Sequence, residues 1–213
     1  MIRPEDAATQ PRIVRANYFG VTSIAMLRRA HDARFATRYF RGDGIDVGGG
    51  LDSLVLCKEF FPLVRHLFVY DHEHGDAQLL ANVADQTFDF LYSSHCLEHL
   101  RDPNEALANW IRVIKPGGHL VIAVPDEDLY EQGHWPSRFN PDHRLSFTLW
   151  KPNSWSPVSV NVLDLVRDVA PLAVPVSLGL MDHCYRYEAQ GHDFDQTRTP
   201  MAEAAIEFVL RKR

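Results

Sequence analysis

Four short apolar segments, each ending in glycine or a polar residue, constrain the fold of this chain more than any other feature. They are GIDVGGG (44–50), HLFVYD (66–71), TFDFLYSS (87–94) and HLVIAVP (119–125). Helical patterns lie between them. LDSLVLCKEFF (51–61) follows the first, and PNEALANWIRVI (103–114), which begins with proline, precedes the last. Near-continuous apolar strands that alternate with helices are typical of a parallel sheet covered on both faces, so we predict an α/β fold.

Glycines and polar side chains follow the ends of these predicted strands. Ligands of open parallel sheets bind in the crevice outside the carboxyl ends of the strands. A glycine-rich turn lets a ligand approach the backbone closely, and an acid ending the next strand can accept both hydroxyls of a ribose. The pattern therefore predicts one ligand site from Gly48, Gly49, Gly50, Asp71, Ser93, Ser94, His95 and Asp126. The nicotinamide fingerprint is absent, because Ser53 stands where it needs glycine.

Composition and charge narrow the class of protein. The 213 residues suffice for one domain, and the 46% hydrophobic and 23% charged content is that of an ordinary globular protein. A net charge of −6 argues against a general nucleic-acid binder. The first residues lack the apolar core of a signal peptide, and no apolar run could cross a membrane. Three widely spaced cysteines suggest buried thiols, so we expect a cytoplasmic protein.

The segments GIDVGGG, VYD, GDA, FDFLYSSHCLEHLRDPNEAL and RVIKPGGHLVIAVPD together resemble the class I S-adenosylmethionine-dependent methyltransferases, in particular the small-molecule, type 11-like branch. The resemblance is tight over residues 44–126 and loosens afterwards. It implies a Rossmann-like, mostly parallel sheet with helices on both faces and an antiparallel final strand. It also implies S-adenosylmethionine as cofactor and a small-molecule acceptor. The aromatic and charged residues that follow position 125 suit a polar ring, so we expect a sugar or another metabolite methylated at oxygen. A protein that binds the cofactor without turnover is the first alternative, and a zinc hydrolase that uses the HCLEH motif (95–99) is the less favoured second.

Carried over residue by residue, the resemblance assigns a cofactor site. Asp46, Gly48, Gly49 and Gly50 would form the turn under the methionine part. Asp71 would bind the ribose, with His72 beside the adenine. Asp76 would face the adenine amino group, and Ala77 would offer its backbone. Ser93, Ser94 and His95 would lie near the methionine part and the transferred methyl.

Two features depart from the family pattern. Asp52 replaces the third glycine of the turn, and only three residues separate Asp71 from Gly75, where the family places a helix and a strand. Either the sheet is shortened after the second strand, or GDAQLL (75–80) is a helix and its likeness to the adenine motif is accidental.

The same chain also contains His95-Cys96-Leu97-Glu98-His99, an H-x-x-E-H pattern used by one group of zinc peptidases. A peptidase would need both histidines on one face of a helix and a third ligand. Here His95 directly follows a strand and Asp102-Pro103 leaves only a very short helix, so we predict no metal site. DHEH (71–74) is interpreted as a polar loop. His99 is expected to bond the backbone around RDP (101–103).

A hydroxyl acceptor needs a base, and histidine suits this because its pKa lies near working pH. The candidates are His143, His95 and His134, and the residues do not decide among them. The aromatic, polar segment 130–155 is the candidate acceptor site.

We expect one domain over 1–213. It would consist of an N-terminal helical cap (1–43), a cofactor-binding core (44–126), a substrate loop (127–157) and a C-terminal part (158–213). The C-terminal part would contain a helix at 158–169 followed by two antiparallel strands. The oligomeric state is left open.

Overall fold

The computed structural model describes residues 1–11, 20–198 and 202–213, and a six-stranded mixed sheet forms its centre. The sheet order is β2-β1-β3-β4-β8-β7, in which β1 to β4 run parallel and β8 runs antiparallel to both of its neighbours. These strands are β1 (Gly42–Val47), β2 (Val64–Tyr70), β3 (Phe88–Ser94), β4 (Ile114–Pro125), β7 (Ala173–Met181) and β8 (Ala205–Lys212). β5 (Ser146–Thr148) and β6 (Ser159–Asn161) pair separately. The predicted fold class, including the antiparallel final pair, is confirmed.

In the described part of the chain, three α-helices pack around the sheet: α1 (Val21–Arg29), α2 (Pro103–Val113) and α3 (Val162–Asp168). α2 matches its predicted bounds closely. The Asp102 side chain accepts hydrogen bonds from the first free amides of α2, and Leu107, Trp110 and Ile111 are buried against the sheet. α3 lies within the predicted C-terminal helix. Of the helical region expected at 17–39, residues 17–19 lie outside the described chain; α1 and a short π-helical turn, Phe35–Tyr39, form the rest.

The segment after β1 differs from the prediction. Instead of one helix over 51–61, it forms two 3₁₀ turns, Gly50–Asp52 and Leu54–Phe60, with Ser53 extended between them. The reason is local hydrogen bonding. The Ser53 hydroxyl donates to the buried Asp46 carboxylate and accepts from the Val55 amide, which holds Ser53 out of a helical conformation.

The sheet is shortened after β2, as the residue count suggested. Residues 72–87 form turns, and within the described ranges no strand pairs with the outer edge of β2. GDAQLL is not a helix. The N-terminal segment Pro4–Thr9 packs against β2 instead, and Ile2 forms a single bridge with Val83. The Gln10 side chain accepts from the Val69 amide at 2.8 Å and donates to the Val69 carbonyl at 2.7 Å. A side-chain amide thus takes the place of a paired peptide group at this edge.

A network of buried ion pairs connects α1 with β8 and the residues just before it. Arg29 is 1% exposed, and its guanidinium donates to Glu207 at 2.6 Å and to the Tyr92 hydroxyl at 2.7 Å. Arg28 bridges Glu203 at 2.9 Å and Glu207 at 2.8 Å. Because a charge this deeply buried needs a partner, the position of α1 over the sheet is strongly specified.

The KPGG turn (115–118) is present as an irregularity at the start of β4. Phe88 pairs with Ile114 and Phe90 with His119, so the turn bulges out of the ladder, and Gly117 has a φ of 80° there.

None of the helices in the described ranges is both long enough and apolar enough to span a bilayer.

Candidate functional site

The glycine turn after β1 is shaped by close contacts that only glycine allows. Gly48 has a φ of 76°, and a Cβ there would lie 2.6 Å from the Cys96 sulfur. A Cβ on Gly49 would lie 2.7 Å from a carboxylate oxygen of Asp46. The turn is therefore pressed against the first residues after β3, which brings these two strand ends together as predicted.

Asp46 is the buried acid beneath this turn. Its Oδ2 accepts from the Ser53 hydroxyl and from the Leu54 amide at 2.8 Å, whereas its Oδ1 is buried without a hydrogen-bond partner. Burial raises the pKa of Asp46 to about 7. An unpartnered carboxylate oxygen beside three glycines is what a site for a ligand carrying an amino group or hydroxyl requires.

Asp71 lies directly across from the glycine turn. Its Oδ2 accepts from the Gly50 amide at 3.1 Å and its Oδ1 from the His72 amide at 2.8 Å, so the carboxylate is held in one orientation. Gly50 and Asp71 line a cavity of about 790 Å³, together with apolar side chains that include Leu51 and Leu56. This volume lies within the range of about 300–1,000 Å³ common for small-molecule sites. Of the predicted cofactor residues, Gly50 and Asp71 line this cavity, whereas Asp46, Gly48, Gly49 and the residues at the end of β3 do not. The Gly50 amide, the Asp71 carboxylate and the apolar lining suit the ribose and base of a nucleoside.

The residues expected around the adenine do not line this cavity. His72 is exposed beside Asp71. Asp76 is exposed and forms an ion pair with Arg101 at 2.6 Å, and the carbonyl of Ala77 accepts from the Trp110 indole at 2.8 Å. Neither Asp76 nor Ala77 lines the 790 Å³ cavity. Both are occupied in holding the shortened segment against α2.

The end of β3 contributes a second set of residues. Ser93 donates to the Val47 carbonyl at 2.9 Å, which ties β3 to β1. Ser94 Oγ lies 3.2 Å from His95 Nδ1, and both residues line a small closed space under α1 with Arg28 and Arg29. Although the His95 residue is only partly buried, its Nε2 is shielded and has no partner, and burial lowers its pKa to about 3. His95 is therefore a neutral imidazole.

His143 lies in a buried cluster of acids and histidines. Its Nδ1 is 2.7 Å from Glu131 Oε1, and its Nε2 is 3.7 Å from Glu98 Oε1. His99 stacks edge-on against the His143 ring at 5.0 Å. Burial raises the pKa of Glu98 to about 7. The Nδ1 of His99 bonds the Asp142 carbonyl at 3.1 Å, so His99 does contact the backbone, but in the 127–157 loop and not at RDP.

The third histidine candidate, His134, is exposed in the same loop. The loop is ordered by buried polar contacts: Glu127 is fully buried and pairs with Lys151 at 2.6 Å. Trp150 is 65% exposed, and Trp155 is 39% exposed with its indole donating to Asp128 at 3.0 Å. Two tryptophan faces thus remain accessible at the surface of the loop.

Sequence reasoning did not predict the contacts of four residues, three in the cluster around His143 and one at the edge of β2. Glu98 and His99 were visible within the H-x-x-E-H pattern, but their meeting with His143 depends on how the loop folds back. The sequence around Glu131 contains no pattern that indicates a buried carboxylate. Gln10 reaches Val69 across 59 positions of sequence, a contact that no local pattern indicates.

Comparison with known proteins shows which family the chain belongs to. A model of a methyltransferase domain family matches residues 24–155, more than half of the chain. Two curated proteins align over short stretches. One is a demethylmenaquinone methyltransferase from Renibacterium salmoninarum, 47% identical over 49 residues, which are 23% of this chain and 20% of that protein. The other is an uncharacterized 37.1 kDa protein in transposon TN4556 of Streptomyces fradiae, 41% identical over 56 residues, 26% of this chain and 16% of that protein. The alignments therefore span a fifth or less of these relatives.

Solved structures share the fold at low sequence identity. An S-adenosylmethionine-dependent methyltransferase from Archaeoglobus fulgidus superposes with a TM-score of 0.56 and 16% identity, covering 87% of this chain and 93% of that one. A second, from Mesorhizobium loti, gives a TM-score of 0.50 at 13% identity, covering 86% and 99%. At these identities the likeness is one of fold.

Proposed function

The chain belongs to the methyltransferase domain family, and from that premise we propose that it transfers a methyl group from S-adenosylmethionine to an oxygen of a small polar acceptor. The observation that carries the proposal is the joined pair of Gly50 amide and Asp71 carboxylate, 3.1 Å apart at the rim of a cavity of about 790 Å³. It lies at the carboxyl ends of two neighbouring parallel strands, where open α/β sheets bind ligands.

In this proposal the chain holds the cofactor along the edge formed by β1 and β2. Asp71 accepts the ribose hydroxyls, because each of its oxygens has a lone pair left after its bond to a backbone amide. The unpartnered Oδ1 of Asp46 and the Gly48 and Gly49 backbone take the methionine part. Leu51 and Leu56 offer an apolar surface for the adenine. His72, the exposed residue next to Asp71, borders this region from outside the cavity. Asp76 and Ala77 support this region from outside the cavity.

S-adenosylmethionine supplies a methyl group already activated by a positively charged sulfur. The work left to the chain is alignment of the acceptor and removal of its proton, and alignment alone can contribute several kcal/mol. Of the three histidines, His95 is the one whose unpartnered nitrogen lies at the end of β3, next to the glycine turn. It is neutral and can accept a hydrogen bond from the acceptor hydroxyl, but its pKa of about 3 makes it a weak base, so it would take the proton only as the methyl group is transferred. His143 has a carboxylate facing each ring nitrogen, and His134 lies in the exposed part of the loop.

The 127–157 loop is proposed to bind the acceptor. The Trp155 ring is held by the Asp128 carboxylate and keeps one face accessible, and Trp150 is more exposed still. Flat aromatic faces beside carboxylates suit a polar ring, which supports a sugar or a similar hydroxylated metabolite as the class of acceptor.

Titration calorimetry with S-adenosylmethionine and with its demethylated product tests the cofactor site. We expect one site per chain, and Asp71→Ala should weaken binding by about 1–3 kcal/mol, the loss typical of hydrogen bonds to a charged group. Asp164→Ala, at an exposed aspartate of α3, is the matched control and should bind as the parent does. Unchanged affinity of Asp71→Ala would remove Asp71 from the site.

Turnover is tested separately, by measuring the demethylated cofactor formed with a panel of sugars and other hydroxylated metabolites. We expect His95→Gln to reduce product formation while cofactor affinity is retained, and His31→Gln, at an exposed histidine outside the 127–157 loop, to leave it unchanged. Equal turnover of the parent and His95→Gln would exclude His95 as the proton acceptor. Cofactor binding with no product from any member of the panel would contradict this class of acceptor.

A further inference from the structure

Three potential metal ligands face one another within the buried cluster formed by Glu98, His99 and His143. Glu98 Oε1 lies 3.7 Å from His143 Nε2 and 3.9 Å from His99 Nε2, and the ligand atoms of the three residues all lie within 4.8 Å of one another. The Glu98 side chain is fully buried, and the His143 side chain is 1% exposed. The His99 side chain is 32% exposed, so the cluster reaches solvent on that side.

The partners of both imidazoles set which nitrogen carries the proton. His99 Nδ1 lies 3.1 Å from the Asp142 carbonyl, which can only accept a hydrogen bond. His143 Nδ1 lies 2.7 Å from the Glu131 carboxylate, which is likewise an acceptor when ionised. In its neutral form each ring would therefore carry its hydrogen on Nδ1 and direct the lone pair of Nε2 towards Glu98. A carboxylate or carbonyl on the distal nitrogen is the usual arrangement of a metal-ligating histidine.

Glu98 has no hydrogen-bond partner on either carboxylate oxygen, although both oxygens are buried. A buried and unpaired carboxylate is strongly unfavourable. With both imidazoles neutral, the nearer Glu98 oxygen and the two Nε2 atoms are three hydrogen-bond acceptors that face one another. A cation between them would satisfy all three ligands at once.

We propose that Glu98, His99 and His143 bind a zinc ion. Two imidazole nitrogens and one carboxylate oxygen form a ligand set typical of zinc sites that keep a fourth position open. Bond lengths of roughly 2.0–2.2 Å in a tetrahedral site place ligands about 3.3–3.5 Å apart. The separations of 3.7 and 3.9 Å around Glu98 need to shorten by only a few tenths of an ångström. The partly exposed side of His99 leaves room for a water molecule or an acceptor hydroxyl as fourth ligand.

The zinc ion would connect the turn after β3 with the 127–157 loop, which have different roles in the methyl-transfer proposal. Glu98 and His99 belong to the turn after β3, and His143 belongs to the 127–157 loop. The Glu98 carbonyl already accepts from the amides of Arg144 and Leu145 at 2.9 and 3.1 Å. A zinc ion would add a second tie beside these hydrogen bonds and fix the loop against the cofactor-binding core.

The test is zinc binding by the full-length chain after removal of metal with a chelator. Elemental analysis of the reconstituted protein should give one zinc per chain, and zinc should raise the thermal unfolding midpoint. Replacing a partner of a ligating histidine typically reduces metal affinity about 10–100-fold, so Glu131→Gln should show a loss of that order and His99→Ala a larger one. His31→Ala is the matched control, because His31 also places Nδ1 against a backbone carbonyl, that of Leu27, and lies outside the cluster.

Glu98→Gln keeps the proposal testable if other variants fold poorly. It preserves shape and removes the buried charge, so the metal-free variant should be at least as stable as the parent while gaining nothing from zinc. Zinc below stoichiometric amounts in the reconstituted parent would overturn the proposal and leave a proton as the occupant of the cluster. Equal zinc-dependent stabilisation of the parent and Glu98→Gln would place the ion elsewhere.

Discussion

The Gln10 side chain closes the outer edge of the shortened sheet, and replacing it measures how much this contact contributes to the free energy of unfolding. It forms two hydrogen bonds with the Val69 backbone, at 2.8 and 2.7 Å. A net contribution of about 0.5–1.5 kcal/mol for each bond predicts that Gln10→Ala lowers the free energy of unfolding by about 1–3 kcal/mol. In a chain of this length each kcal/mol corresponds to a shift of roughly 2–4 °C in the unfolding midpoint. Urea denaturation and calorimetry of the same variant should therefore agree.

Two further variants make the measurement specific. Gln10→Glu keeps an acceptor for the Val69 amide but replaces the donor with a charged oxygen facing the Val69 carbonyl, so it should destabilise at least as much as Gln10→Ala. Gln86→Ala, at an exposed glutamine, should change the free energy of unfolding by less than about 0.5 kcal/mol, as is usual at the surface. If Gln10→Ala is no more destabilising than Gln86→Ala, the side-chain amide does not act as a substitute for a strand.

Two other predictions concern buried charge. Glu207→Gln should lower the free energy of unfolding by roughly 3–5 kcal/mol in urea, because it leaves the Arg29 guanidinium buried without its counter-charge; a loss below about 1 kcal/mol would contradict this. Burial lowers the pKa of His119 to about 4, so between pH 6.5 and 4 the unfolded chain binds a proton that the folded chain excludes, and stability falls as the pH drops through that interval. His119→Phe should remove roughly 2–3 kcal/mol of this pH dependence while retaining the ring contact with Tyr39, and an unaltered pH profile would refute the assignment.

Much of the fold follows from periodicity in the sequence. The strands β1 to β4 and helix α2 were predictable, because buried parallel strands require continuous apolar runs and an amphipathic helix requires its own spacing. The short gap between Asp71 and Gly75 left a shortened sheet as one of two alternatives, and the structure has the shortened sheet. The helix predicted at 51–61 was wrong because Ser53 bonds Asp46, and that bond depends on the strand beside it.

The candidate site was predictable to the extent that it lies at strand ends. Gly48, Gly50 and Asp71 are brought together because parallel strands end at one edge of the sheet. The environment of His143 was not predictable, since it depends on the path of a loop without periodicity. The same holds for the expectation that H-x-x-E-H carries no metal. It was argued from a helix joining His95 to His99, whereas the proposed site uses Glu98, His99 and a histidine from the loop.

The attachment of α1 to β8 has a consequence for how ligands enter and leave. Lifting α1 would separate Arg28 and Arg29 from Glu203 and Glu207, and breaking a buried pair of this kind costs several kcal/mol. A motion that unfavourable would be rare on the timescale of turnover. Exchange of cofactor and product should therefore proceed through the cavity lined by Gly50 and Asp71, while α1 stays in place.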